Sequence, residues 1–205
     1  QGISAYYRET KYDDRNVSNY VTDAYGATLN YSYPVDETKR VSAGLNVDKT
    51  TVRGGNRLGV SNVQQIIDDG GTFEPFSGDY EGRTGFKNDY QSYNLLFGWD
   101  YSTLDRPVFP NKGMSHTVDA TIGLGDESYQ KLVYRGNIYQ PIYKDWVARG
   151  YTKLGYGNDL PFYENFYAGG YGSVRGYEAS TLGPKSQAYF DAINDPAKQT
   201  YTAEE

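Results

Sequence analysis

The chain of 205 residues has no cysteine, and it has one histidine, His116, and one methionine. The lack of cysteine excludes disulfide scaffolds, cysteine-ligated zinc or iron–sulfur sites and cysteine nucleophiles. A single histidine leaves no second one for a histidine-based metal cluster. Basic residues are in deficit, with 20 Lys and Arg against 26 Asp and Glu and a net charge of -6. That balance argues against a nucleic-acid partner, because neutralising phosphates requires a basic face.

Long hydrophobic runs are also lacking. The mean hydropathy is -0.75, and no apolar run approaches the roughly 20 residues that a transmembrane helix needs. Transmembrane strands are not excluded, because they hide their hydrophobicity by alternating it with polar residues. The chain is rich instead in tyrosine, with 23 residues, and in glycine, with 24. Tyrosine favours strands and glycine disfavours helix interiors, so the composition predicts antiparallel β-structure.

A period of two in hydrophobicity predicts about seven strands. In the clearest segment, Tyr25, Leu29 and Tyr33 share one face while Thr28 and Asn30 lie on the other, as alternation along a strand requires. The predicted strands are 2–12, 25–33, 41–47, 93–101, 116–124, 130–142 and 146–157. Strands of roughly ten residues have the length of a tilted membrane-spanning strand.

Short and long connections alternate along the chain. The predicted short turns are 35–39, 104–113 and 143–145, and the long connections are 13–23, 51–88 and 158–205, with the turn at 126–128 as the exception. Within the second long connection, residues 62–69 are predicted to form a helix capped by Asn62. The asymmetry is typical of an antiparallel transmembrane β-barrel. Seven strands cannot close, so we expect an incomplete portion of one.

The two strand faces favour a membrane over a soluble sheet. A soluble half-buried sheet also alternates, but a soluble barrel carries Lys and Glu on its polar face. Here that face carries mainly Gly, Ser, Thr and Asn in several strands. Aromatic residues suited to the edge of the lipid core border the apolar face, namely Tyr25, Tyr33, Tyr93, Tyr101 and Trp146. A soluble lipocalin-like binder is the alternative, and a monodisperse monomer without detergent would identify it.

Several charged residues call for an interpretation. Four cations on the last two predicted strands are interpreted as lining a lumen, or as the wet side of those strands: Lys131, Arg135, Arg149 and Lys153. The acidic pairs Asp13-Asp14 and Asp68-Asp69 lack the one-residue spacing of a calcium loop, so we predict no metal. His116 is expected on the lipid-side face near a turn, or at the interface.

An aromatic and glycine-rich stretch, 161–177, lies in the last predicted loop. Exposing aromatic residues to water is unfavourable, so we predict that this stretch packs inside something. Gly169, Gly170, Gly172 and Gly176 allow sharp backbone turns. Arg175 on such a loop suits a carboxylate in a low-dielectric lumen, held by two charge-assisted hydrogen bonds. Taken as a dipeptide alone, Arg175-Gly176 is better interpreted as a common solvated turn.

The longer motif distinguishes a lumen anchor from a solvated turn. Val174-Arg175-Gly176-Tyr177, preceded by Gly169-Gly170, resembles the lid-loop signature of the superfamily of outer-membrane assembly and two-partner-secretion transporters. Segments 162–170 and 180–185 look like its β-barrel assembly branch, and 104–113 looks like a periplasmic turn of that barrel. The resemblance covers nearly the whole chain and is strongest over 161–185. The family more often has Phe where Tyr177 stands, and loop 51–88 shows no match.

The resemblance implies a sixteen-stranded barrel behind periplasmic POTRA domains. The chain is then expected to begin after the first few barrel strands and to end inside the sixth extracellular loop. Residues 1–157 would supply middle strands, and residues 158–205 the lid loop, a name kept below for that range. In the family the arginine of this loop meets acidic residues on later strands. By that match Arg175 takes the anchoring role, and its acidic partners lie beyond Glu205.

The implied function is not enzymatic and requires no cofactor. The family folds and inserts client barrel proteins into the outer membrane of Gram-negative bacteria, where a client strand adds to an opened seam by β-augmentation. The implied partners are unfolded outer-membrane proteins, outer-membrane lipid and accessory assembly lipoproteins, the last through periplasmic domains outside this chain. A related transporter that exports one dedicated client is the alternative. A porin would not need the arginine loop, and an enzyme would need a His or Ser constellation.

Overall fold

The chain folds mainly as an antiparallel β-sheet. The computed structural model describes residues 1–11, 20–55, 59–73, 83–177 and 182. The strands are β1 (Gly2–Lys11), β2 (Tyr20–Pro34), β3 (Lys39–Gly55), β4 (Thr72–Phe73), β5 (Arg83–Ser102), β6 (Gly113–Gly125), β7 (Tyr129–Tyr143) and β8 (Trp146–Asn158). One α-helix, α1 (Val60–Asp68), and one 3-10 helix (Phe162–Glu164) complete the described elements. The sheet order is β1-β2-β3-β5-β6-β7-β8, with β4 paired to β5. The predicted fold class is therefore confirmed, with seven long strands.

The predicted apolar face is present in the sheet and is exposed. Tyr93 pairs with Leu124 and Tyr101 with His116 across β5 and β6, so these side chains share a face. The same register brings in the even-numbered residues of β7 and β8. Phe97 and Leu132 on this face are 48% and 42% exposed. Soluble monomers rarely expose so continuous an apolar surface, whereas a lipid-facing sheet must.

A hydrogen-bonded ladder crosses the opposite, polar face. The Thr28 hydroxyl donates to Asn46 Oδ1 at 2.7 Å, and Asn46 Nδ2 donates to Asp48 Oδ1 at 2.5 Å. Asn94 Nδ2 donates to the same Asp48 oxygen at 3.0 Å, and the Tyr129 hydroxyl donates to Asn94 Oδ1 at 3.1 Å. Because buried amides need partners, this polar ladder fixes side chains of β2, β3, β5 and β7 to one another.

Several predicted boundaries were wrong. β2 begins at Tyr20, so the end of the predicted loop 13–23 is strand, and residues 13–19 lie outside the described residues. The predicted connection 51–88 likewise begins and ends in strand, because β3 runs to Gly55 and β5 begins at Arg83. Polar Thr, Lys and Asp residues in these strand ends interrupt the alternation of apolar and polar residues on which the prediction depends.

The predicted helix is present but begins earlier. Its N-cap is Gly59, in an extended conformation and without a side-chain cap hydrogen bond. Asn62, the predicted cap, lies inside the first turn, where its N–H bonds to Gly59 O at 3.0 Å. Within the described ranges, no helix is long and apolar enough to span a membrane.

The chain divides into two compact units. The first comprises residues 1–5, 26–48 and 92–161, and it contains the polar ladder. The second comprises residues 6–25, 49–91 and 162–205. A hydrophobic core lies in the second unit, and its buried members are Tyr20, Val52, Val63, Ile66, Phe86, Tyr90 and Phe162.

Gly123 on the polar face leaves room for the Tyr129 ring. A Cβ built at this glycine would overlap that ring, which carries the buried hydrogen bond to Asn94. We expect Gly123→Ala to lower the free energy of unfolding of the full-length protein by about 1–3 kcal/mol, because the ring must move off its partner. Urea titration in lipid nanodiscs measures this. Gly172→Ala is the control, since its Cβ would meet nothing within 4 Å; equal midpoints for both variants would contradict the expectation.

The turn between β2 and β3 is organised by one carboxylate. Asp36 accepts hydrogen bonds from the Thr38 hydroxyl at 2.7 Å and from the Thr38 and Lys39 N–H groups at 2.7 and 2.8 Å. The Thr38 hydroxyl first, and then the Thr38 N–H, lower the pKa of Asp36 from 3.8 to about 2. A folded-state pKa below the unfolded value means that this contribution is complete above pH 3.8 and is lost as the pH falls through about 2.

We therefore expect Thr38→Val to raise the pKa of Asp36 toward 3.8, because the largest contribution is removed. Thr38→Ser keeps the hydroxyl and is expected to retain the low value. The chemical shift of the Asp36 carboxyl carbon, measured by NMR between about pH 1.5 and 6 in steps of about half a pH unit, gives the pKa in both variants. An unchanged midpoint in Thr38→Val would refute the assignment.

Candidate functional site

The lid loop begins with a buried aromatic segment. Phe162 is 3% exposed, and its ring centroid lies 5.3 Å from that of Tyr20 in an edge-to-face arrangement. The ring of the next residue, Tyr163, lies 5.1 Å from that of Tyr90. Such aromatic pairs add roughly 0.5–1.5 kcal/mol beyond the area they bury. The start of the lid loop is therefore held by side chains that come from β2 and β5.

Aliphatic residues complete the surroundings of Phe162. Val63 and Ile66, three positions apart and thus on one face of α1, are 1% and 0% exposed. We call the surrounding side chains the aromatic socket: Tyr20, Val52, Val63, Ile66, Phe86 and Tyr90. The prediction that the aromatic stretch packs is confirmed for Phe162. Within this chain Tyr171 and Tyr177 are 85% and 55% exposed, so their packing stays a prediction.

The glycines of the motif build a closed turn. The Ser173 hydroxyl donates to Gly169 O at 3.0 Å and accepts from the Gly169 N–H at 2.7 Å. The Gly170 N–H donates to Tyr177 O at 3.0 Å. Gly169, Gly170 and Gly176 have φ values of +115°, +86° and +94°, which residues with a Cβ rarely adopt. The turn 169–177 thus needs glycine at three of the four positions that the sequence analysis selected, since Gly172 has no positive φ.

Arg175 stands on this turn with its guanidinium over an aromatic ring. Its Cζ lies 4.6 Å from the Tyr171 ring centroid, a cation–π contact. Stacking uses the face of the guanidinium, and recognition of a carboxylate uses the N–H edge. No ion pair involves Arg175 within the described part of the chain. Acidic partners beyond Glu205 stay a prediction.

The four predicted lumen cations share the polar face of β7 and β8. Arg135 is the register partner of Lys153, and Tyr139 that of Arg149; Lys131 follows the same odd-numbered alternation. Arg135 forms an ion pair with Asp119 on β6. Arg149 donates to Asn137 Oδ1 at 2.9 Å and lies 5.6 Å from two tyrosine ring centroids. The shared face supports a lumen-lining role, which stays a prediction.

His116 lies on the apolar face, as expected. Its ring stacks between Tyr101 and Tyr134, with centroids 5.9 and 6.0 Å away, and Trp99 extends the stack at 6.2 Å from Tyr101. The His116 Nδ1 atom is 2.7 Å from the Tyr134 hydroxyl oxygen. Amphipathic rings of this kind belong at the boundary between hydrocarbon and headgroups.

The acidic pair after α1 has local partners. Gln64 Nε2 donates to Asp68 Oδ1 at 2.8 Å, and the Tyr90 hydroxyl donates to Asp69 Oδ2 at 3.0 Å. Among the residues that the structure describes, no three His, Cys, Asp or Glu side chains are grouped so that they could hold a metal ion. Asp13 and Asp14 lie outside those residues.

Sequence reasoning missed the aromatic socket. Tyr20 fell in a predicted loop, and Phe86 and Val52 fell in the unmatched connection. The one available signal was the spacing of Val63 and Ile66 within the predicted helix, which marks an apolar face that needs a partner. Nothing local identified Phe162 as that partner.

The exposed apolar face, the stacked rings on it and the hydrogen-bonded polar face together define the wall of an outer-membrane β-barrel. The Omp85 superfamily domain matches residues 1–202. The chain belongs to this superfamily, which confirms the family resemblance of the lid-loop motif.

Two relatives extend the comparison. Over 181 residues, which are 83% of this chain and 21% of the relative, the chain is 31% identical to the outer membrane protein assembly factor BamA of Neisseria meningitidis serogroup B. The crystal structure of BamA from Haemophilus ducreyi lacking POTRA domains 1–3 matches with a TM-score of 0.77 and 26% identity. That match covers 90% of this chain and 36% of the solved one. The chain thus spans about a fifth of the curated relative.

Gly176 tests the backbone of the motif. Its φ of +94° is strained for any residue with a Cβ, although a Cβ there would meet no atom within 4 Å. We expect Gly176→Ala to destabilise the turn 169–177 by about 1 kcal/mol, through backbone strain alone. Hydrogen exchange of lid-loop peptides in the full-length protein measures the change. Gly172→Ala, also in open space but without a positive φ, serves as its matched control; equal exchange in both variants would exclude the strain argument.

Proposed function

We propose that the chain is a central part of a protein that folds and inserts β-barrel proteins into the outer membrane. Residues 1–157 supply strands from the middle of the barrel, and residues 158–205 supply its lid loop. The observation that carries the proposal is the 31% identity with an outer membrane protein assembly factor across 83% of the chain. The closed turn that presents Arg175 adds independent support, because the motif forms a structured element.

The proposed contribution of the strands is a firm wall. From Ser92 to Ser102 every residue of β5 has a partner on β6, and β7 continues the pairing from β6. Opening such a ladder inside hydrocarbon would expose unpaired N–H and C=O groups. We therefore propose that these paired strands hold the lumen in shape and do not form the seam that admits a client strand by β-augmentation.

Arg175 is proposed as the anchor between the lid loop and the lumen wall. Its stacking on Tyr171 orients the guanidinium, and a carboxylate on a later strand would accept its paired N–H groups. Removing one member of a buried ion pair costs roughly 3–5 kcal/mol, because the other charge is left buried and alone. The cations of β7 and β8 are proposed to line the lumen; the alternative is that they form only the wet side of those strands.

The partners follow from the proposed function. Unfolded outer-membrane proteins are the clients, outer-membrane lipid surrounds the apolar face, and accessory assembly lipoproteins bind through periplasmic domains outside this chain. We propose no enzymatic step, no cofactor and no nucleic-acid partner. A transporter that exports one dedicated client through its lumen is the alternative within the same superfamily.

The test is depletion of the full-length parent in its own cell, with complementation by variants. We expect depletion to lower the amounts of many folded barrels at once, measured by heat-modifiability and membrane proteomics. Arg175→Ala is expected to complement poorly, because a buried carboxylate loses its partner. Lys144→Ala, which removes an exposed cation from the β7–β8 turn, is the matched control and is expected to complement fully.

Two outcomes would count against the proposal. Loss of one secreted protein with the other barrels intact would identify a dedicated transporter. Normal growth and normal client assembly with Arg175→Ala would remove the anchoring role of Arg175.

A further inference from the structure

The start of the lid loop is inserted among side chains that all come from other segments. Tyr20 belongs to β2, Val52 to β3, Val63 and Ile66 to α1, and Tyr90 to β5. All five are 0–1% exposed. Because protein interiors are close-packed, a ring buried in such a cluster has few alternative positions.

From this we infer that Phe162 and Tyr163 are positioning residues of the lid loop. They fix its start in the aromatic socket, so that the β3–β5 connection, through α1, determines where Arg175 stands. The importance given to Arg175 rests on the proposed function. The contacts of Phe162 and Tyr163 do not depend on it.

The connection from α1 to the lid loop passes through Tyr90. The Tyr90 hydroxyl donates to Asp69 Oδ2 at the end of α1, at 3.0 Å. Asn88 Nδ2, on the same strand, donates to Asp69 O at 3.4 Å. The ring of Tyr90 in turn contacts that of Tyr163. One side chain thus touches both the end of the helix and the start of the lid loop.

The connection from Phe162 to Arg175 is made by short-range hydrogen bonds. The Tyr167 hydroxyl donates to Phe162 O at 3.0 Å. Ala168 O then accepts from the Leu182 N–H at 3.1 Å. The turn 169–177 follows, closed by Ser173 and by the bond from Gly170 to Tyr177. The bond from Tyr167 to Phe162 and those within the turn join near neighbours, and the bond from Leu182 to Ala168 joins two more distant segments; with Phe162 fixed, they limit the positions that are open to the turn.

The apolar face of the helix lies in a cluster that contains both strand residues and the start of the lid loop. Val63 and Ile66 are its buried residues, and both belong to the cluster that contains Phe162. A helix in an extracellular connection is not needed to join two neighbouring strands, since a short turn can do so. Its apolar side is accounted for if it forms a wall for the start of the lid loop.

Hydrogen exchange on the full-length parent in lipid nanodiscs tests the inference. We expect Phe162→Ala to raise exchange of peptides covering 165–177 by about tenfold or more, because the lid loop leaves its seat. Phe162→Leu, which keeps an apolar side chain of similar reach, is expected to restore most of the protection. Peptides from β6 and β7 are expected to exchange as in the unmodified protein in both variants.

Two further variants separate positioning from general stability. Val21→Ala truncates a buried residue of β2, 5% exposed, that is outside the socket, and it is expected to leave exchange of 165–177 unchanged. Ile66→Ala truncates the helix wall without altering the lid loop and is expected to raise that exchange. Ile66→Ala also decides the matter if Phe162→Ala fails to fold.

Unchanged protection of 165–177 in Ile66→Ala, or an equal rise in Val21→Ala, would overturn the inference. A uniform rise that includes β6 and β7 would do the same, since it indicates a loss of stability and not a loss of position. Exchange is measured on purified protein without clients, so its outcome is separate from depletion. The two experiments can therefore disagree. If Ile66→Ala raises exchange of the lid loop but depletion identifies a dedicated exporter, the positioning role is kept and the proposed function is removed.

Discussion

Hydrocarbon offers no hydrogen-bond partner to a polypeptide backbone, and the rest of the structure depends on that constraint. Each strand must pair along its length with its neighbours, as Ser92 to Ser102 of β5 do with β6. Pairing enforces alternation, so that one face meets lipid with residues such as Phe97 and Leu132. The other face can then be polar, provided that its own groups are satisfied, which the ladder from Thr28 to Tyr129 achieves.

Outside the sheet, the backbone must find its partners locally. The turn 169–177 does so with glycines in left-handed conformations and with the Ser173 hydroxyl. The aromatic socket stabilises the start of the lid loop by a different effect, because it removes a large apolar surface from water. The lid loop thus combines a packed start with a hydrogen-bonded turn, and the two have separate physical origins.

The predictable part of the molecule was the part governed by local periodicity. The faces of segments 25–33 and 93–101 follow from alternation alone, and the glycines of the motif follow from its spacing. The start of β2 and the end of β3 were missed because Thr22 and Thr50 are buried although polar. The cap at Gly59 was missed because the backbone closes the helix start without a side chain. The aromatic socket depends on contacts between residues far apart in sequence, and no local pattern predicts such contacts.

The contact between Tyr20 and Phe162 joins positions separated by most of the described chain. Closing so long a loop costs chain entropy before any contact rewards it. The intervening strands shorten that loop as they pair, so bringing Phe162 to Tyr20 costs the least chain entropy once those strands have assembled. The packing of the lid loop is therefore thermodynamically coupled to the pairing of the strands between these two residues.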